Sequence, residues 1–129
     1  MEILEVIRGK TKYYTLIDGN HNFIAECAIG EREYMSTPTW FDEVYNRELM
    51  PNRIFYIYNF GVKREYRRKG YGRMILEYVI NRHRNCFIYL QVSSLEIETN
   101  VLVKYYKSFG FKPFFENSNE YYKPMFLIK

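Results

Sequence analysis

Apolar residues come in short runs and alternations over most of the first sixty positions, and longer helical periods follow past residue 70. Residues 3–7 form a short apolar run broken only by Glu5, which reads as a strand. Residues 13–17 and 23–29 flank Asp18-Gly19-Asn20, and two β-type runs around such a triplet read as a hairpin, with Gly19 accepting a positive φ in the turn. Regularity is then lost. Pro38 interrupts the pattern, Thr39 is a candidate N-cap, and residues 40–50 read as a short amphipathic helix stopped by Pro51. Segment 30–52 is therefore an irregular insertion in an otherwise regular chain.

Residues 53–62 carry β-type side chains on both faces (Ile54, Phe55, Ile57, Phe60, Val62), the pattern of a central strand. From 71 to 84 the period is helical, with Met74, Ile75, Tyr78 and Val79 on one stripe, Leu76 and Ile80 beside it, and Arg82-His83-Arg84 in the last turn. Residues 86–92 read as a strand, 93–99 as a polar loop, and 100–109 as a helix with Leu102, Val103, Tyr106 and Phe109 inward and Gly110 at its C′ position. Residues 111–115 and 121–128 are strands around Asn117-Ser118-Asn119. The order is strands first, then β-α-β-α-β-β. This predicts a mixed α/β (α+β) domain with a central β-α-β unit.

Length and composition narrow the class. A chain of 129 residues is one domain by size, 1–129 throughout. Hydrophobic residues at 47% and charged residues at 26% exclude a disordered chain. The longest apolar runs are far too short to cross a bilayer, and the first residues lack the basic and apolar regions of a signal peptide. Cys27 and Cys86 are the two cysteines. They exclude a disulfide scaffold and structural zinc, read as buried thiols, and make the cytoplasm the expected compartment. His21, beside a turn, and His83, at a helix end, read as surface residues.

Charge is concentrated rather than spread. Lys63, Arg64, Arg67, Arg68, Lys69 and Arg73 stand with one acid, Glu65, in a window of net charge +5, leaving −1 for the rest of a chain whose formal charge is +4. A localised anion fits this better than a nucleic acid, which calls for a broad basic surface. Gly70 and Gly72 punctuate the window where a strand gives way to a helix. Glycines there let the backbone approach a ligand, and the first N–H groups of the helix favour a phosphate. The Walker A spacing is absent, and the Gly-x-Gly-x-x-Gly dinucleotide fingerprint does not match.

The spacing Arg67-x-x-Gly70-x-Gly72 after a strand ending in Val62 resembles the acyl-coenzyme A loop of the GNAT acetyltransferase superfamily. A second block, Asn100 followed by Lys104-Tyr105-Tyr106-Lys107-Ser108-Phe109-Gly110-Phe111, is similar to that family's Asn…Leu-Tyr-x-x-x-Gly-Phe pattern and selects Tyr106, four residues before Gly110. The resemblance runs from about Ile54 to Phe111. It implies a mostly antiparallel sheet with a splayed pair of strands holding acyl-CoA, and transfer of an acetyl group from acetyl-CoA directly to a primary amine, with no metal.

The resemblance implies coenzyme contacts from Phe60, Gly61 and Val62 along the pantetheine arm, from Arg67, Arg68, Lys69, Gly70, Tyr71, Gly72 and Arg73 at the pyrophosphate, and from Asn100. It makes Tyr106 the acid that protonates the leaving thiolate. The same residues have plainer readings: Asn100 as a helix N-cap, Tyr106 as core, Trp40 as packing within the insertion. The family's usual strand carboxylate is absent, which leaves Tyr56, Tyr58, Asn59, Glu96 and Glu98 as candidates for handling the amine proton. A catalytically silent GNAT-fold module that binds CoA or a partner is the alternative. The expected partner is an amine-bearing acceptor, small molecule or protein, with no nucleic acid or membrane. The paired last strands offer an edge at which a homodimer could form.

Overall fold

The computed structural model describes residues 1–92, 97–115 and 123–128. They form a mixed α+β fold: a seven-stranded, mostly antiparallel sheet of order β1-β2-β3-β4-β5-β7-β6, with two α-helices. Its strands are β1 (Glu2–Arg8), β2 (Thr11–Ile17), β3 (Phe23–Arg32), β4 (Ile54–Val62), β5 (Phe87–Val92), β6 (Lys112–Pro113) and β7 (Lys123–Ile128). The helices are α1 (Tyr71–Asn81), between β4 and β5, and α2 (Thr99–Lys107), between β5 and β6. The chain resolves into two units: Met1–Glu31 with Tyr56–Arg84, and Arg32–Phe55 with Asn85–Lys129.

In the first unit, β1, β2 and β3 form an antiparallel meander. Its first turn is closed by Gly9 at φ 63°, where a positive φ matches the twist of the strands it joins. The second turn differs from expectation. Gly19 is not the residue with positive φ; His21 is, at 62°. The turn is organised by the Asp18 carboxylate instead, whose Oδ1 accepts from the backbone N–H groups of Asn20 at 2.8 Å and Asn22 at 2.9 Å. This is an Asx turn, in which a side chain supplies the acceptor.

Helix α1 packs against β2. Its buried face is Ile75, Leu76, Val79 and Ile80, while Met74, expected inward, is 46% exposed. The helix ends at Asn81 with Arg82 as C-cap, so the Arg82-His83-Arg84 run lies past its last turn. Glu5 ties β1 to its surroundings: its carboxylate pairs with Lys12 at 2.8 Å and Arg82 at 3.3 Å, and accepts from the Tyr78 hydroxyl at 2.8 Å. Hydrogen bonds from Lys12 and Tyr78 hold that carboxyl below the usual carboxylate range. Cys27 is fully buried, and burial pushes its thiol up to about 12.

In the second unit, β5 and β7 pair along their full lengths, β6 pairs with β7, and α2 contacts β5. The helix expected over 40–50 does not form. Thr39–Glu43 is a short 3-10 turn with Pro38, not Thr39, as its N-cap, and turns follow it. Strand β3 also runs on to Arg32, so the irregular segment begins after that residue rather than at Gly30. Aromatic packing explains why a helix is dispensable here. Phe41 is fully buried, with ring centroids of Tyr45, Phe87, Tyr89 and Phe114 between 4.9 and 5.9 Å away. The segment is held by this anchor and not by a helical ladder. Phe41→Ala is expected to destabilise the fold by about 3–5 kcal/mol, read by chemical denaturation.

Helix α2 starts at Thr99, with Glu98 as N-cap and no side-chain cap bond. Asn100 is therefore inside the helix, and the N-cap reading is corrected. The C-terminal end matches expectation. Gly110 sits at φ 102°, its N–H donates to the Lys107 carbonyl at 3.0 Å, and the Phe111 N–H donates to that of Tyr106 at 3.3 Å. These two bonds are the Schellman pair, which needs a left-handed residue at C′. Of the strands expected near the C-terminus, 111–115 is reduced to β6, and Asn117-Ser118-Asn119, like Glu96 earlier in the chain, lies outside the described residues.

Candidate functional site

The chemistry-bearing segment of the first unit is β4, the basic turn and the start of α1. The first residues of β4 are buried, whereas Tyr58, Asn59 and Gly61 are exposed and Phe60 and Val62 are half-buried. Gly61 has open space where a Cβ would stand. The strand is anchored just past its end, where the Lys63 N–H donates to the Ile24 carbonyl at 2.8 Å.

The turn then folds on itself. Arg64–Tyr66 is a single 3-10 turn. Arg67 donates from Nε to the Val62 carbonyl at 3.0 Å, so this arginine clasps the two ends of the loop. Arg68 has φ 63° and Gly70 has φ 85° with ψ 3°, both left-handed, with Lys69 between them outside that region. Alternating backbone hand curls successive N–H groups toward one point, a concavity that takes anions. A non-glycine residue held left-handed, as Arg68 is, costs roughly 1–2 kcal/mol.

Gly70 is the N-cap of α1 and contributes no side chain. The first N–H groups of an α-helix have no partner within the helix, and its N-terminal end carries partial positive charge. Gly70 is exposed, with nothing within 4 Å of a Cβ position, while Gly72 is buried. The open approach to the loop is therefore at Gly70, and Gly72 serves packing as well.

The basic residues divide by task. Lys63 pairs with Glu65 at 3.0 Å, and Arg73 with Glu77 at 3.2 Å along the helix. Arg68 and Lys69 are exposed on the loop, with the Lys69 ammonium 5.9 Å from the Tyr66 ring. Tyr66 in turn meets the Tyr71 ring edge-on at 6.2 Å. Phe60, Gly61, Val62, Arg67, Arg68, Lys69, Gly70, Tyr71, Gly72 and Arg73 are thus brought together on one strand–loop–helix segment. The arrangement can hold an anion by backbone donors, a helix end and two exposed cations.

Asn100 and Tyr106 share α2, in the second unit. Asn100 is exposed; Tyr106 is 7% exposed, its ring edge-on to Phe111 at 5.9 Å. Of the residues weighed for the amine proton, Tyr56 and Tyr58 lie edge-on to each other at 5.1 Å on β4, and Glu98 is the exposed N-cap of α2. Tyr58 lies across Gly30 of β3, where a Cβ would stand 2.6 Å from its ring. A glycine inside a strand pattern was the available signal for such a close approach.

A strand feeding a curled basic loop and a helix N-terminus, within this α+β sheet, is the arrangement that the comparisons with known proteins meet. The model of the Acetyltransferase (GNAT) domain matches residues 14–113, and the chain belongs to that family. Solved structures agree on the fold. NAA60 of Arabidopsis thaliana in complex with acetyl-CoA is 17% identical with a TM-score of 0.65, over 92% of this chain and 75% of that one. Arabidopsis thaliana Naa50 in complex with the bisubstrate analogue CoA-Ac-MVNAL is 22% identical with a TM-score of 0.56, over 90% and 70%. The Bacillus subtilis N-acetyltransferase YlbP in complex with coenzyme A is 15% identical with a TM-score of 0.61, over 91% and 67%. A search of curated proteins finds no match.

Proposed function

We propose that the chain is an N-acetyltransferase that moves the acetyl group of acetyl-CoA to a primary amine by direct attack. The observation that carries this reading is the loop of left-handed Arg68 and Gly70 opening α1, in a chain of the acetyltransferase family. In this reading the pyrophosphate sits on the backbone of 68–73, with Arg67, Arg68 and Lys69 around it. Backbone groups of Phe60, Gly61 and Val62 follow the pantetheine arm, and Asn100 is a further contact. An N–H near Val62 polarises the thioester carbonyl as charge grows on its oxygen.

The amine nitrogen attacks the thioester carbon, the carbon–sulfur bond breaks, and the thiolate needs a proton. Tyr106 supplies it, since a phenol keeps its proton at neutral pH. The amine loses its proton through water or one of the groups on β4. The acceptor in this reading is a peptide or protein amine, supported by Arabidopsis thaliana Naa50, which was solved with the bisubstrate analogue CoA-Ac-MVNAL. One observation favours the silent alternative: β4 carries no carboxylate. A silent module would bind acetyl-CoA and not consume it.

Calorimetry with acetyl-CoA tests the coenzyme half of the proposal. Because exposed cations meet the pyrophosphate, affinity should fall steadily as salt is raised, exposed charges being screened beyond roughly 8–10 Å near physiological ionic strength. A dissociation constant indifferent to salt would assign the site to backbone donors alone and remove Arg68 and Lys69 from it.

A further inference from the structure

Strand β1 lies at one end of the sheet order and pairs on one side only, with β2, among the described residues. Such an edge presents a row of backbone donors and acceptors to any strand that can align with it. The other end of the sheet differs. There the edge is β6, two residues long and containing Pro113, which has no N–H to donate. Among the described residues, the edge expected at the last strands is thus short, and the long edge is β1.

The seven residues Glu2-Ile3-Leu4-Glu5-Val6-Ile7-Arg8 make up this edge. Leu4 is 40% exposed, Val6 45% and Ile7 70%. Turned about Glu5, the strand is complementary to itself. Laid antiparallel on a second β1 in full register, Glu2 falls opposite Arg8 of the second copy, Ile3 opposite Ile7, and Leu4 opposite Val6. A slip by two residues either way puts a charge on an apolar residue (Glu2 on Val6, or Leu4 on Arg8) and shortens the ladder. A slip by one would turn opposed side chains to different faces. Glu5 meets Glu5, but each carboxylate brings its own Lys12 and Arg82, so the centre is net positive and not an uncompensated like-charge pair.

We propose that β1 is a self-complementary edge by which two copies of this chain pair antiparallel about a two-fold axis at Glu5. The axis makes the contact isologous, so one pairing satisfies both copies and closes the assembly. Backbone bonds join the two sheets, and the Glu2–Arg8 ion pairs at both ends fix the register.

Sedimentation equilibrium of the full chain at low salt tests this. The wild-type chain is expected to dimerise. Glu2→Arg sets Arg against Arg, and Arg8→Glu sets Glu against Glu, at exposed positions that leave the fold intact. Each variant alone should dimerise more weakly by about two- to thirtyfold, the range for losing two exposed ion pairs. An equimolar mixture of the two variants restores opposite charges at both ends, and it should recover wild-type affinity as a heterodimer. A chain monomeric at all concentrations overturns the proposal. So does a dimer unaffected by either substitution, or a mixture no tighter than its components.

Discussion

Tyr106→Phe should lower the chemical step by about 10²–10⁴-fold, the usual size of general acid catalysis. The substitution keeps the ring, and the ring carries the packing: Tyr106 is 7% exposed and edge-on to Phe111 and Tyr105. Only the hydroxyl goes. Stability should change by no more than about 0.5–1.5 kcal/mol, the net value of one hydrogen bond, and acetyl-CoA affinity should hold. Tyr105 is the control. It is half-buried one position along α2 with its ring against Phe109 at 5.1 Å, and Tyr105→Phe should stay active. Single-turnover kinetics separates chemistry from product release. If Tyr106→Phe reacts at the wild-type rate when chemistry limits, Tyr106 is a core residue and the thiolate takes its proton from water.

Gly70→Ala should weaken acetyl-CoA binding about five- to thirtyfold. The position has φ 85° and open space around a Cβ, so the methyl meets no neighbour. Its cost is conformational: roughly 1–2 kcal/mol to hold an L-residue left-handed. The variant's loop is expected to relax away from that strain when no ligand is bound, and binding would have to restore it, so the cost would enter the dissociation constant. The same change should leave the core intact, which thermal denaturation would verify. Undiminished affinity by calorimetry would mean that the loop's curled backbone is not where the pyrophosphate rests. Gly72 is a poorer probe, because it is buried and a larger side chain there would disturb packing too.

Much of this was legible in the chain because local chemistry and tertiary role coincide. The switch from two-residue to helical period around Gly70 marks β4, the loop and α1, since backbone, charge and hydrophobic pattern all change at one place. Gly110 was legible because few residues besides glycine sit easily at φ 102°. Errors fell where a side chain or a distant ring does the work. Asp18, not Gly19, organises the second hairpin turn, because a carboxylate can supply the acceptor that a backbone carbonyl would otherwise provide. No periodicity in 40–50 reveals that Phe41 will sink among the rings of β5 and its neighbours and hold the segment without a helix. Met74 sits at the margin of its stripe, where a small rotation of α1 decides burial. The clasp from Arg67 to Val62 and the ion pairs of Lys63 and Arg73 were hidden because composition counts charges without saying which ones the fold has already used.

Transfer of an acetyl group to a primary amine is read directly by mass spectrometry of a cell lysate incubated with the chain and isotopically labelled acetyl-CoA. Labelled acetyl is expected on a defined set of primary amines, absent with heat-inactivated protein and strongly reduced with Tyr106→Phe. Labelling no greater than that with inactivated protein, by a chain that calorimetry shows to bind acetyl-CoA, would contradict it and leave a coenzyme-binding module without catalysis.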